Sequence, residues 1–87
     1  MHELSIALSL IDAVCEELPR LGEGTCVRSI RIRVGPRSGV VAEALRFAFD
    51  VAVADSPIAG ARLDIERTDG SELEVAALEV IDDAENR

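Results

Sequence analysis

The sequence has no lysine, tyrosine or tryptophan, and its single histidine is His2. A catalytic site built on a Ser-His or Cys-His pair therefore has little material, because the one imidazole lies beside the first residue. No lysine amine is present to form a Schiff base. Neither a Gly-x-x-x-x-Gly-Lys phosphate loop nor a Gly-x-Gly-x-x-Gly fingerprint occurs. These absences argue against an enzyme.

Long apolar runs and an excess of basic charge are also missing. No run of about 18 apolar residues could span a bilayer, and the start of the chain lacks the basic and apolar regions of a signal peptide. Nine arginines face 17 acidic residues, which gives a net charge of −8. Such a surface repels phosphate backbones. The sequence predicts one small, soluble, cytoplasmic domain that binds neither nucleic acid nor membrane.

The two cysteines, Cys15 and Cys26, do not form a Cys-x-x-Cys pair. Zinc sites built on thiolates usually need four ligands, and nothing points to an oxidising compartment in which a disulfide would persist. We interpret both cysteines as small buried apolar side chains.

The first half of the chain predicts a helix and then a strand. Apolar residues recur at helical spacing from His2 to about Leu18, and Pro19 is expected to end the helix because it lacks a backbone N–H. Residues 27–34 alternate between apolar side chains and arginines, which is typical of a half-buried strand. Arg31 and Arg33, in the middle of this segment, are expected to face water or carboxylates of a neighbouring strand.

A second helix is predicted from Val41 to Ala54. One apolar row holds Phe49 and another holds Phe47, and we expect both phenylalanines to lie in the core. The first row of the predicted helix consists of Leu45, Phe49 and Val53, and the second row consists of Ala44, Phe47 and Val51.

The last third predicts a β-hairpin around Asp69-Gly70, since Asp-Gly between two alternating segments favours a tight turn. The alternation changes phase at Ala76-Ala77, which indicates a bulge, and residues 82–87 resemble a frayed, charged tail. The predicted order is α-β-α-β-β. We therefore expect an α+β fold in which two helices pack on one face of a three-stranded sheet, and one domain over residues 1–87.

Metal chemistry can gather only at Met1, His2 and Glu3. The terminal amine, the His2 amide and the His2 imidazole are joined by a short covalent path, and the Glu3 amide nitrogen could complete a square plane. Ni(II) and Cu(II) favour such nitrogen-rich planar sites. The plainer alternative is that His2 is a solvated second residue.

A resemblance bears on this choice. Met1-His2-Glu3-Leu4-Ser5-Ile6-Ala7 resembles the start of the HypA family, the hydrogenase/urease nickel-incorporation proteins. The similarity continues through Arg31-Ile32-Arg33-Val34-Gly35, Ser38-Gly39-Val40-Val41 and Glu43-Ala44-Leu45-Arg46-Phe47-Ala48-Phe49. It resumes over residues 59–66, 72–75 and 78–80, so that it covers nearly the whole chain in order.

The resemblance implies a nickel metallochaperone for [NiFe]-hydrogenase maturation that binds Ni(II) through Met1, His2 and Glu3. It also implies delivery, without catalysis, to a HypB-like GTPase or to the hydrogenase large subunit. The family carries a zinc domain with two Cys-x-x-Cys pairs between its last two strands. Residues 67–71 occupy that place here, so we expect a tight turn and no zinc.

Two alternatives stay open. In the first alternative, the chain is an interaction module that docks on the hydrogenase maturation machinery without handling metal. In the second it forms a homodimer through a sheet edge, because a three-stranded sheet leaves edges open.

Overall fold

The computed structural model describes residues 2–82, with the backbone alone for Asp82. It contains helix α1 (Glu3–Leu21), strand β1 (Thr25–Val34), a short 3₁₀ turn (Pro36–Ser38), helix α2 (Ala42–Val53) and strands β2 (Arg62–Arg67) and β3 (Leu73–Asp82). This confirms the predicted α+β fold, with the helices and a three-stranded mixed sheet in the order α-β-α-β-β. The expected tail, residues 83–87, lies outside the described part.

Strand β1 lies at the centre of the sheet, whose order is β2-β1-β3. It pairs in parallel with β2 and antiparallel with β3. The predicted hairpin is therefore wrong, because β2 and β3 do not pair with each other. The apolar, β-branched face of β1 is buried, and Ile30 is fully enclosed.

The Asp-Gly segment crosses the end of β1 instead of reversing the chain into a hairpin. Thr68 N–H donates to the Val34 carbonyl (3.2 Å), and Gly35 N–H donates to the Glu72 carbonyl (2.8 Å). Residues 68–72 thus form a short bridge from one edge strand to the other. The bulge at Ala76 is confirmed by a register shift, but it is opposite β1, between the pairs Arg31–Ala77 and Ile32–Val75.

Gly35 lies where the end of β1 comes closest to the segment that crosses it, at Gly70. A Cβ added to Gly35 would lie 2.2 Å from the backbone oxygen of Gly70. We predict that Gly35→Ala lowers the free energy of unfolding by about 1–3 kcal/mol, as overpacking does, in chemical denaturation. Gly70→Ala is the matched control, because its Cβ would meet only the flexible Glu72 side chain. Equal effects of the two substitutions would contradict this reading.

Helix α1 runs through Pro19 and ends at Leu21, three residues later than predicted. Proline costs the helix one hydrogen bond, but here it lies in the last turn. The Leu21 side chain packs against the core, and its carbonyl accepts a hydrogen bond from Thr25 Oγ1 at 2.8 Å. These contacts stabilise the last turn despite the proline.

Two expectations about burial are wrong. Phe49 is fully buried as predicted, whereas Phe47 is 72% exposed. The two residues lie two positions apart and so point to different sides of the helix, and the sheet covers only one side. Cys15 is half-buried and Cys26 is exposed on β1, so the expected burial of Cys26 is also wrong.

The outer face of the sheet is charged. Arg33 lies between two acidic residues, with Nε 3.1 Å from Glu66 on β2 and Nη1 3.5 Å from Glu74 on β3. The prediction that this arginine faces carboxylates of a neighbouring strand is confirmed, on both sides. These ion pairs connect the central strand with both of its neighbours, but exposed pairs of this kind each contribute little to the stability of the fold.

Candidate metal centre

His2 immediately precedes α1 and is exposed. Its backbone adopts φ −88° and ψ 77°, and its side chain forms no capping hydrogen bond. The His2 carbonyl accepts the first main-chain bond of the helix, from the Ile6 N–H at 3.1 Å. The backbone of His2 is therefore fixed by the helix, while the imidazole is accessible to solvent and to a metal ion.

Glu3 is the first residue of α1. The N–H groups in the first turn of an α-helix have no acceptor within the helix, so the Glu3 amide is not part of the helical ladder. Its N–H instead helps to lower the pKa of the residue's own carboxylate, and coordination of this nitrogen in a planar nickel site would require loss of that proton.

The Glu3 carboxylate has another partner. Val41 N–H donates to Glu3 Oε2 at 3.0 Å, and Val41 is the N-cap residue immediately before α2. This bond joins the starts of the two helices. It lowers the pKa of Glu3, with the Val41 N–H as the largest cause and partial burial opposing it. The carboxylate is therefore charged at neutral pH and lies beside the terminus.

This contact was missed in the sequence. Both segments are present in the resemblance, Met1-His2-Glu3 and Ser38-Gly39-Val40-Val41, but no periodicity relates positions that are 38 residues apart. The backbone explains the contact: Gly39 adopts the left-handed region at φ 82°, and the chain turns there so that the Val41 N–H faces the start of α1.

The Glu3–Val41 bond predicts a pH-dependent contribution to stability. A carboxylate whose pKa is lowered in the folded state stabilises that state above its ordinary value of 4.5, and the contribution is lost as the pH falls through the lowered pKa. We expect Glu3→Gln to lower the melting temperature at pH 7, in the presence of a chelator, and to have a progressively smaller effect as the pH falls below 4.5. Glu16→Gln, on the exposed side of α1, is the control. A difference in melting temperature that does not shrink as the pH is lowered would contradict this assignment.

The part of the chain that the structure describes holds no group of three or more His, Cys, Asp or Glu side chains placed to bind a metal ion. A site at the terminus would therefore use main-chain nitrogens and one imidazole, not a cluster of side chains. Of the three predicted ligand residues, His2 and Glu3 are adjacent at the start of α1, and Met1 lies outside the described residues.

No helix within residues 2–82 has the length and apolar character needed to cross a membrane.

The fold and the terminus together define a small α+β domain with an accessible histidine at the start of its first helix. A family model for hydrogenase/urease nickel incorporation, the metallochaperone HypA, matches residues 1–79. The chain belongs to the HypA family.

Curated relatives agree with this membership. The hydrogenase maturation factor HypA of Streptomyces avermitilis is 43% identical over 70 residues, which cover 80% of this chain and 53% of that protein. The HypA of Deinococcus radiodurans is 47% identical over 70 residues, which cover 80% of this chain and 58% of that protein. The chain thus spans little more than half the length of these relatives.

A solved structure shares the fold. The solution structure of the Ni metallochaperone HypA from Helicobacter pylori matches with a TM-score of 0.64 at 27% identity, over 88% of this chain and 72% of that one.

Proposed function

We propose that this chain is a nickel-binding metallochaperone domain that serves [NiFe]-hydrogenase maturation without catalysing a reaction. The observation that carries the proposal is the family match, which begins at residue 1 and so includes the Met1-His2-Glu3 terminus. The exposed imidazole of His2 and the Glu3 amide outside the helical ladder support it. Ni(II) is the cargo, and the domain would work in the cytoplasm.

The chemistry follows from the donor set. The terminal amine, the His2 amide and the His2 imidazole would hold Ni(II) in chelate rings, and the Glu3 amide nitrogen would complete the plane. Binding strengthens with pH, because the amine and imidazole must be unprotonated and the amide protons must leave. The Glu3 carboxylate, bonded to Val41 N–H, would add negative charge beside the cation without acting as a ligand.

The cargo would pass to a HypB-like GTPase or to the hydrogenase large subunit. Nickel held by an exposed terminus can be approached by an acceptor's ligands from the solvent side, which favours transfer between proteins. The segment between β2 and β3, residues 68–72, contains no cysteine, and we propose that the domain binds nickel with no zinc.

Acetylation of the terminal amine tests the site. Acetylation removes one nitrogen ligand and changes no side chain, so we expect the affinity for Ni(II) to fall by at least about tenfold, or 1.4 kcal/mol. The measurement is calorimetric titration of acetylated and unmodified protein, with circular dichroism to show that the fold is the same. Equal affinities would overturn the assignment of the amine as a ligand.

The docking-module hypothesis has one observation in its favour. Apolar side chains of both helices, including Leu4 and Phe47, are exposed to solvent. Co-purification with a HypB-like GTPase, together with no nickel binding by the unmodified chain, would select this second function.

A further inference from the structure

A groove of about 590 Å³ lies between α1 and the C-terminal end of α2. Its apolar lining includes Leu4, Leu8, Ile11, Cys15, Ala52 and Pro57. Leu4 is 54% exposed and Leu8 is 47% exposed. Large apolar side chains gathered in an open groove mark interaction sites on soluble proteins.

The exposed apolar surface continues along α2. Phe47 is 72% exposed and Val51 is 58% exposed. Val51 lies in the last turn of α2 beside Ala52, which lines the groove, and Phe47, four residues earlier, is the neighbour of Val51 on the helix surface. We call the groove together with Leu4, Leu8, Phe47 and Val51 the helix-layer patch.

The charges at the edge of the helix-layer patch are mostly negative. Asp12 and Asp55 line the groove. Glu43 and Asp50 lie four residues before and three residues after Phe47, and are its neighbours on α2. None of these four carboxylates forms an ion pair within residues 2–82. Arg46, which lies between Glu43 and Asp50 on α2, donates to the Leu63 carbonyl, so the rim of the apolar surface is predominantly negative.

The acidic rim favours one kind of binding partner for the groove over another. A second copy of the chain would bring acidic groups against acidic groups, in a protein whose net charge is already −8, and like charges across an interface oppose association. A partner with lysines or arginines around an apolar row would instead pair with the rim. The occupant is therefore cationic and differs from this chain.

A helix can present an apolar row flanked by cationic side chains, and this arrangement matches an apolar groove with an acidic rim. We infer that the helix-layer patch binds a basic amphipathic helix of a partner protein, with its apolar row in the groove and its cationic residues on the acidic rim.

The position of the patch connects it with nickel, and in this respect the inference rests on the proposed function. Leu4 directly follows His2 and Glu3 in the chain, at the start of α1. A partner helix in the groove would lie beside the terminus that carries the cargo. The patch would thus hold the acceptor of nickel close to its donor.

A designed peptide tests the inference. The probe is a fluorescein-labelled 18-residue helix with leucines on one face and lysines on the other, and its control is the same composition scrambled so that the leucines share no face. Fluorescence anisotropy with the whole chain reports binding. We expect the scrambled peptide to bind at least about tenfold more weakly, because a hydrophobic anchor is central to such interfaces.

Variants locate the site. Leu8→Gln is expected to weaken peptide binding at least about tenfold, and Asp12→Asn with Asp55→Asn about threefold at low salt, with a smaller effect at high salt. Val80→Gln is the matched control, since Val80 is 42% exposed but lies on β3. Circular dichroism of each variant shows that it is folded.

Several results would overturn the inference. These are equal binding of the two peptides, full binding by Leu8→Gln, or a dimer in light scattering that Leu8→Gln dissociates, since a second copy would then be the occupant. Nickel titration of Leu8→Gln separates the two proposals, because we expect its nickel affinity to be unchanged. Peptide binding by a chain that binds no nickel would refute the proposed function alone.

Discussion

Replacing His2 by alanine is expected to abolish tight nickel binding and to leave the fold intact. The imidazole is the only histidine side chain of the sequence, and the described residues offer no cluster of side chains that could replace it. Loss of one ring of a chelate should reduce the affinity by at least about a hundredfold, or 2.7 kcal/mol. His2 is exposed and caps nothing with its side chain, so the melting temperature of the metal-free protein should not change.

Calorimetric titration with Ni(II) at neutral pH, on protein with a free terminal amine, measures this effect. Glu3→Gln is the matched variant, because it keeps the Glu3 amide nitrogen and changes only the carboxylate that is bonded to Val41 N–H. We expect Glu3→Gln to retain most of the affinity. Wild-type affinity in His2→Ala would rule out the site, and loss of binding in Glu3→Gln would make the carboxylate a ligand.

Phe49→Ala is expected to have the largest effect on stability. Phe49 is fully buried, among the largest such side chains of the core, and truncating a buried phenylalanine costs about 3–5 kcal/mol. Since native domains are stable by only about 5–15 kcal/mol, and small ones bury less of their surface, this variant should be largely or wholly unfolded at elevated temperature.

Phe47→Ala provides the control within the same helix. The residue type and the secondary structure are the same, but Phe47 is 72% exposed, and surface substitutions usually change stability by less than about 0.5 kcal/mol. Urea denaturation of both variants gives the comparison. Similar losses from the two substitutions would show that the two phenylalanines do not differ in burial as described.

The sequence was sufficient for the elements and their layers, because periodicity reports which face of an element is buried. It was not sufficient for the pairing of the strands. The Asp69-Gly70 signal is local, whereas the position of β3 depends on hydrogen bonds between residues 72 and 35, far apart in the chain. Phe47 was misplaced for a related reason: a helix with two apolar rows has two candidate core faces, and only the sheet decides between them.

The candidate site was predictable in part. The chelating geometry of an amine, an amide and an imidazole follows from covalent structure, so His2 and Glu3 could be named without coordinates. The resemblance to the HypA family is the reason for proposing a metal site there instead of an ordinary terminus. The Glu3–Val41 bond required the structure, because it depends on how the loop before α2 turns at Gly39.

The bridge between β2 and β3 shares an anchor with the end of the domain at which we propose that nickel binds. Arg37 N–H donates to the Gly70 carbonyl at 3.0 Å, and four residues after Arg37 the chain reaches Val41, whose N–H holds Glu3. One loop is therefore fastened at its start to the bridge and at its end to the terminus. A longer segment inserted between these two strands would be attached to the same loop, so a module could be added or lost there without rebuilding the domain and would still lie only one loop away from the proposed nickel site.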